Sequence, residues 1–130
     1  MRPLHGRRGQ NLVEVALVLP IMVIMMLGIV EFGFLYFARG SVDNAAREGA
    51  RYGSIHPIDT GNIANRVKQT MMGIDTTSPD FHVDVSYPDG DSQPTSRIRV
   101  TVTYPLTTFW PGPVSTTYTT AATMRIEKEG

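Results

Sequence analysis

The sequence predicts an α+β protein: a long N-terminal transmembrane helix extends into a small domain with a short second helix and a three-stranded antiparallel sheet. Three observations support this prediction. No charged residue interrupts the run from Val15 to Val30. Small or apolar residues recur at helical spacing in 45–53 and again in 63–74. Apolar and polar residues alternate in 81–87, 97–104 and 114–124. We therefore divide the chain into a leader over 1–9, a transmembrane helix over 10–38 and a domain outside the membrane over 39–130.

The apolar run is long enough to cross a bilayer, since about 20 apolar residues span the hydrocarbon core. It continues past Glu31 with mainly aromatic and aliphatic residues. Because Asn11 can cap a helix, we predict one helix from Asn11 to Tyr52, about 60 Å long at 1.5 Å per residue. Pro20 is expected to kink or loosen this helix locally, which membrane helices tolerate. The prolines and glycines of residues 1–9 argue against helix there.

Small residues recur at regular intervals along the predicted long helix. Ala45, Gly49 and Gly53 are spaced by four residues and form one stripe. This stripe is either the core face of an amphipathic helix or a face toward another subunit, and the sequence leaves both interpretations open. Gly28 and Gly33 lie in the apolar run, where they allow another helix to approach closely.

The remainder of the chain predicts a short helix followed by three strands. The helix covers Asn62–Met72, and its apolar stripe consists of Ile63, Val67, Met71 and Ile74. Alternation of apolar and polar residues predicts strands over 81–87, 97–104 and 114–124. Because one face of each strand is polar, we expect an antiparallel sheet that is covered on one side.

Two connections join the predicted strands. Pro88–Pro94 has the composition of a tight turn. Pro105–Pro113 is different, because it contains Leu106, Phe109 and Trp110. A loop with three large apolar side chains is expected to fold back onto the sheet or to contact a partner.

Composition and spacing argue against several classes of function. The 130 residues contain 12 basic and 12 acidic side chains, so no general attraction to nucleic acid is expected. The chain has no cysteine, which excludes disulfides. His5, His56 and His82 are scattered and do not form a metal-binding motif. Asp89–Asp91 resembles part of a calcium loop but lacks the other ligands, which favours a plain hairpin turn. We expect no enzyme, no cofactor, no metal and no small-molecule substrate.

The segment before the apolar run is the most informative part of the sequence. A secretory signal peptide has its cleavage site after the apolar core. Here the small residue, Gly9, precedes the core, follows Arg7 and Arg8, and lies five positions before Glu14. This pattern resembles a type IV prepilin leader, which is cut after the glycine and has glutamate at the fifth mature position. A plain signal anchor with a chance glycine and a snorkelling Glu14 is the alternative.

The resemblance extends beyond the leader to three blocks in the same order. These blocks are Val13–Pro20, Leu27–Gly33 and Asn44–Tyr52. Together with the leader they resemble TadE-like proteins, minor pilins or pseudopilins of tight-adherence (Tad, Flp-type) pilus systems, over residues 7–53. The resemblance implies a pilin-like fold and a subunit that is incorporated through its apolar helix. Major pilins of Flp type are usually much shorter, so a major pilin is a less favoured interpretation.

The resemblance also implies a processing site and a set of partners. A prepilin peptidase in the membrane would recognise Arg7, Arg8, Gly9 and Gln10 and cut after the glycine. Glu14 would then set subunit registry by meeting the terminal amine of a neighbouring subunit, although a contact with the amine of its own chain is an alternative. The implied partners are the membrane, the peptidase, other Tad pilins or pseudopilins and the pilus assembly platform.

We expect a single-pass protein of the cytoplasmic membrane with its N-terminus in the cytoplasm. Three arginines precede the apolar run and three follow it closely, so the positive-inside rule gives only weak support. Glu31 is expected at the outer membrane interface, because a charge at the bilayer centre is costly. It either contacts another subunit or the outer domain, or simply faces water. A permanently anchored extracytoplasmic adaptor or sensor of the same machinery is the alternative function.

Overall fold

The computed structural model describes residues 6–71, 73–109 and 112–127, and for residues 6–8 it describes the backbone only. It confirms the predicted α+β fold class, with two helices and one three-stranded antiparallel sheet. In chain order the elements are α1 (Gly6–Ile55), α2 (Thr60–Thr70), β1 (His82–Ser86), β2 (Arg97–Thr108) and β3 (Val114–Arg125).

Helix α1 has 50 residues and is therefore about 75 Å long. The helix continues without interruption through Pro20. The prediction that residues 1–9 are not helical is wrong for residues 6–9, and residues 1–5 lie outside the described part. An interior glycine costs only about 1 kcal/mol, and each added residue of an existing helix gains a backbone hydrogen bond. The helix can therefore extend through Gly6 and Gly9.

The sheet has the order β1-β2-β3 with β2 in the centre. Val100 lies opposite Val85 of β1 and Ala122 of β3. Alternate residues of β2 are buried against the helices; they are Ile98, Val100, Val102, Tyr104 and Leu106. The residues between them are more exposed, as expected for a sheet covered on one face.

Strand β2 is longer than predicted and passes through Pro105 to Thr108. The predicted loop over 105–113 is therefore wrong for its first four residues. Strand β1 begins at His82, opposite Thr103, so at Pro105 only β3 pairs with β2. Proline is tolerated where a strand has a free edge, because its missing N–H removes no ladder bond there.

The hydrophobic core lies between the sheet, α2 and the second part of α1. Residues 38–55, the packed segment of α1, contribute Ala38, Val42, Ala45, Ala46 and Ala50. Helix α2 adds Ile63 and Val67, and Met71 follows it. Residues 9–37, the apolar segment of α1, are almost entirely exposed. One continuous helix therefore has two different surroundings.

Candidate assembly and membrane-contact site

The apolar segment of α1 exposes large hydrophobic side chains all around the helix. Among residues 12–37 they include Leu17, Ile24, Ile29, Phe32 and Phe37. Within the described chain, α1 is the one helix long and apolar enough to cross a membrane. Burial of apolar surface contributes about 25 cal/mol per Å². Such a surface is therefore stable only when lipid or other apolar helices cover it, and the chain is a single-pass membrane protein by this criterion.

The predicted processing residues lie in the first turns of α1. The side chains of Arg7 and Arg8 are outside the described part. Gly9 and Gln10 are exposed, and a Cβ added to Gly9 would meet nothing within 4 Å. The described chain therefore leaves the predicted cleavage position accessible to another protein.

Glu14 lies one helical turn after Gln10 and is exposed. It shares a shallow groove with Val15, Val18 and Leu19 on the same stretch of helix. Its side chain makes no hydrogen bond and no ion pair within the described residues. The carboxylate is thus presented on the apolar surface that another helix or lipid must cover.

The five predicted helix-packing residues fall into two groups. Gly28 and Gly33 lie in the apolar segment, and added Cβ atoms there would meet nothing within 4 Å. Ala45, Gly49 and Gly53 are buried in the packed segment. The chain's own core covers these three residues, which favours the interpretation of the stripe as the core face of an amphipathic helix.

Gly49 and Gly53 allow α2 and β2 to approach α1 closely. A Cβ added to Gly49 would lie 2.5 Å from Val67 Cγ2 and 3.2 Å from Val100 Cγ1. A Cβ added to Gly53 would lie 2.6 Å from Ile98 Cδ1. These separations are shorter than ordinary van der Waals contact, so glycine is required here by space rather than by backbone conformation.

Glu31 contacts the folded domain that follows the apolar segment. The backbone N–H of Phe109, at the end of the β2–β3 hairpin, donates a hydrogen bond to Glu31 Oε1. The contact joins residues 78 positions apart in sequence. An open groove of about 440 Å³ lies beside it, lined by Leu27, Val30, Glu31, Phe34, Thr107 and Phe109. Hence the hairpin reaches the apolar segment of α1, on the N-terminal side of the α1 residues that belong to the hydrophobic core.

The three apolar residues predicted in the second connection have different environments. Leu106 belongs to β2 and is buried in the core. Phe109 is 80% exposed beside α1. Trp110 lies outside the described residues. The prediction that this loop folds back onto the sheet or contacts a partner did not include the contact with α1 that the structure shows at Phe109.

A second contact fixes β3 to the packed segment of α1, and sequence reasoning missed it. The Tyr118 hydroxyl donates to Asp43 Oδ1 at 3.1 Å, and the Arg39 guanidinium lies 5.4 Å from the centre of the Tyr118 ring. Partial burial raises the pKa of Tyr118, and the hydrogen bond to Asp43 raises it further. The partners are 75 residues apart, and no local pattern signals such a pair.

The predicted turn at Asp89–Asp91 is held by an ion pair. Asp89 accepts hydrogen bonds from the Arg97 side chain at 2.7 Å and from the Arg97 backbone N–H at 2.8 Å. These hydrogen bonds lower the pKa of Asp89. The described residues contain no group of three or more His, Cys, Asp or Glu side chains that could hold a metal ion. His56 stacks on Tyr52 with ring centroids 4.7 Å apart.

Comparison with known proteins identifies the helical part of the chain. Residues 9–51 match the family described as TadE-like protein. The matched region covers the apolar segment of α1 and most of the packed segment. No curated protein and no solved structure matches the chain.

Proposed function

Since residues 9–51 of this chain match the TadE-like family, we propose that it is a minor pilin or pseudopilin of a Tad-type pilus system. The observation that carries the proposal is the division of α1. Its first part exposes apolar side chains in all directions, and its second part is the core helix of a folded domain. The proposed role is structural and involves no catalysis.

This division suits a subunit that is inserted in a membrane and later packed among other helices. The apolar segment can exchange lipid for neighbouring helices, because both environments bury the same surface. The packed segment is held by α2, by the sheet and by the Tyr118–Asp43 hydrogen bond. Movement of α1 therefore carries the outer domain with it.

We further propose that the precursor is cut between Gly9 and Gln10 by a prepilin peptidase at the cytoplasmic face of the inner membrane. Exposure of both residues and the two preceding arginines supports this site. The outer domain then lies outside the cytoplasm. The proposed partners after cleavage are other Tad pilins or pseudopilins and the assembly platform.

Glu14 is proposed to set the axial position of each subunit. Cleavage would create a charged amine at Gln10, one turn before this carboxylate. A lone carboxylate or a lone ammonium is costly in an apolar environment, whereas a pair neutralises both charges. Pairing between neighbouring chains therefore favours one axial register.

The experiment is to determine the N-terminus of the mature protein by mass spectrometry, in cells that contain the peptidase. We expect the mature chain to begin at Gln10. Gly9→Val should leave the precursor uncut, because the peptidase requires a small residue before the cut. Gly6→Val is the matched control, since it makes the same change three residues upstream and should permit cleavage. Retention of Met1 in the wild type would contradict the proposal and favour a permanently anchored adaptor or sensor.

A further inference from the structure

The end of the β2–β3 hairpin, formed by Thr107–Phe109 and Val114, lies beside the apolar segment of α1 and not beside the core. Its groove extends along α1 to Leu27. The first fully buried residue of α1 is Ala38. The hydrogen bond from Phe109 to Glu31 lies seven residues before Ala38, or about 10 Å along the helix. The hairpin end therefore extends well below the folded domain, toward the membrane.

The position of the bilayer along α1 follows from the length of the hydrocarbon core, which about 20 helical residues cross. If the hydrocarbon core of the bilayer began directly after Arg8, it would end at roughly residue 28. If it were centred between Glu14 and Glu31, it would end at roughly residue 32. Leu27 lies inside the hydrocarbon in both placements. The Leu27 end of the groove is consequently at the depth of the hydrocarbon, and the hairpin contact at Glu31 is near its boundary.

The chemistry of the hairpin end suits this depth. Phe109 is 80% exposed and Val114 is 58% exposed, so two large apolar side chains flank the tip. The Phe109 N–H, which would be costly to leave unpaired near lipid, donates to Glu31. The same hydrogen bond gives the Glu31 carboxylate a partner at the boundary, and Thr107 adds a hydroxyl. Apolar rings beside polar groups are typical of the membrane interface.

We propose that the hairpin end is a second membrane contact, which inserts into the outer leaflet so that phospholipid acyl chains fill the groove along α1. The groove is continuous with the lipid-facing surface of the apolar segment, which is why lipid is its occupant in the membrane. This inference goes beyond the proposed pilin role; it requires that α1 spans a bilayer, and it rests on the proposed function only for which leaflet is the outer one. With two contacts, the outer domain has a fixed tilt and a fixed rotation relative to the membrane.

The test measures the depth of single fluorophores in the full chain, reconstituted in phosphatidylcholine–phosphatidylglycerol vesicles at high dilution. The chain has no cysteine, so single-cysteine variants can be labelled uniquely with an environment-sensitive dye. Val114→Cys reports on the hairpin end. Gln93→Cys is the matched control on the exposed turn at the other end of β2, about 36 Å away along the strand. Met22→Cys reports on the middle of the apolar segment.

We expect lipids brominated near the carbonyl group to quench the dye at Val114 at least twofold more than the dye at Gln93. Deeply brominated lipids should quench the dye at Met22 most strongly. Equal quenching at Val114 and Gln93, with Met22 quenched, would overturn the proposal and leave the spanning helix intact. Absence of quenching at Met22 would overturn both the hairpin proposal and the assignment of α1 as a spanning helix.

A further pair of variants tests whether Phe109 holds the hairpin end in lipid. Phe109→Ser should reduce the quenching at Val114. Ile58→Ser is the control, because Ile58 is 83% exposed but lies beyond the other end of α1. It should leave the quenching unchanged. If the dye at Val114 is shielded from aqueous iodide without being quenched by brominated lipids, a second copy of the chain fills the groove, and the lipid assignment is wrong.

Discussion

Substitution of Gly49 by alanine tests the close packing of α1 against the rest of the domain. The added Cβ would lie 2.5 Å from Val67 Cγ2 and 3.2 Å from Val100 Cγ1. Val67 branches at Cβ and is fully buried, so its methyl group cannot move away by a small change at the end of a flexible chain. Either α2 shifts outward by about 1 Å or Val67 leaves its preferred rotamer.

The expected cost follows from two opposing contributions. Alanine in place of an interior glycine stabilises a helix by about 1 kcal/mol. Overpacking of a filled core typically costs about 1–3 kcal/mol. We therefore expect Gly49→Ala to destabilise the domain by about 1 kcal/mol. Gly40→Ala makes the same change on the same helix where nothing lies within 4 Å, so it should stabilise by up to about 1 kcal/mol.

The assay is urea unfolding of the full chain in detergent micelles, followed by near-ultraviolet circular dichroism of the aromatic residues in the domain. The two alanine variants should differ by about 2 kcal/mol in free energy of unfolding, or roughly 8–16 °C in Tm for a domain of this size. Gly53→Ala should cost less than Gly49→Ala, because its nearest neighbour is the terminal methyl of Ile98. Equal stability of the Gly49 and Gly40 variants would refute the packing argument.

Three other predictions concern single side chains. Tyr118→Phe removes the hydrogen bond to Asp43 and should lower the free energy of unfolding by about 1 kcal/mol at neutral pH. Because the folded state raises the pKa of Tyr118, the wild type loses this advantage above about pH 10. Denaturant titrations should therefore show a smaller difference in stability between the two proteins above that pH. Asp89→Asn should destabilise the turn at neutral pH, and since Arg97 lowers the pKa of Asp89, the difference should narrow as the pH falls below about 4, as measured by thermal unfolding from pH 7 to pH 2. Glu14→Gln should be cut after Gly9 but poorly recovered in sheared pili, and normal recovery of the processed variant would refute the registry role.

Much of the fold could be predicted because its elements have simple periodicities. The stripe of Ile63, Val67 and Met71 places three side chains on one face of a helix, and all three are buried. Alternation in β2 likewise identifies the face of the sheet that packs against the helices. Local patterns also identified the glycines of α1. They could not distinguish a core face from a subunit face, because both require small residues.

Contacts between distant residues could not be predicted in the same way. An acid in an apolar run and an aromatic loop were each recognisable, but nothing local indicates that Glu31 meets Phe109. The bond between Asp43 and Tyr118 is similar. The path of β2 through Pro105 depends on where the pairing with β1 begins, at His82 opposite Thr103, which is a property of the assembled sheet. These features arise from tertiary structure rather than from propensity.

The hairpin contact also decides which side of α1 another helix can approach most closely. Leu27, Glu31 and Phe34 share the face that the hairpin end occupies. At 100° per residue, Gly33 and Gly40 lie together on a different face, about 120° away. Both are without neighbours within 4 Å. Another helix could therefore approach the α1 backbone closely along the Gly33–Gly40 face, whereas the Glu31 face lies against the hairpin of its own chain.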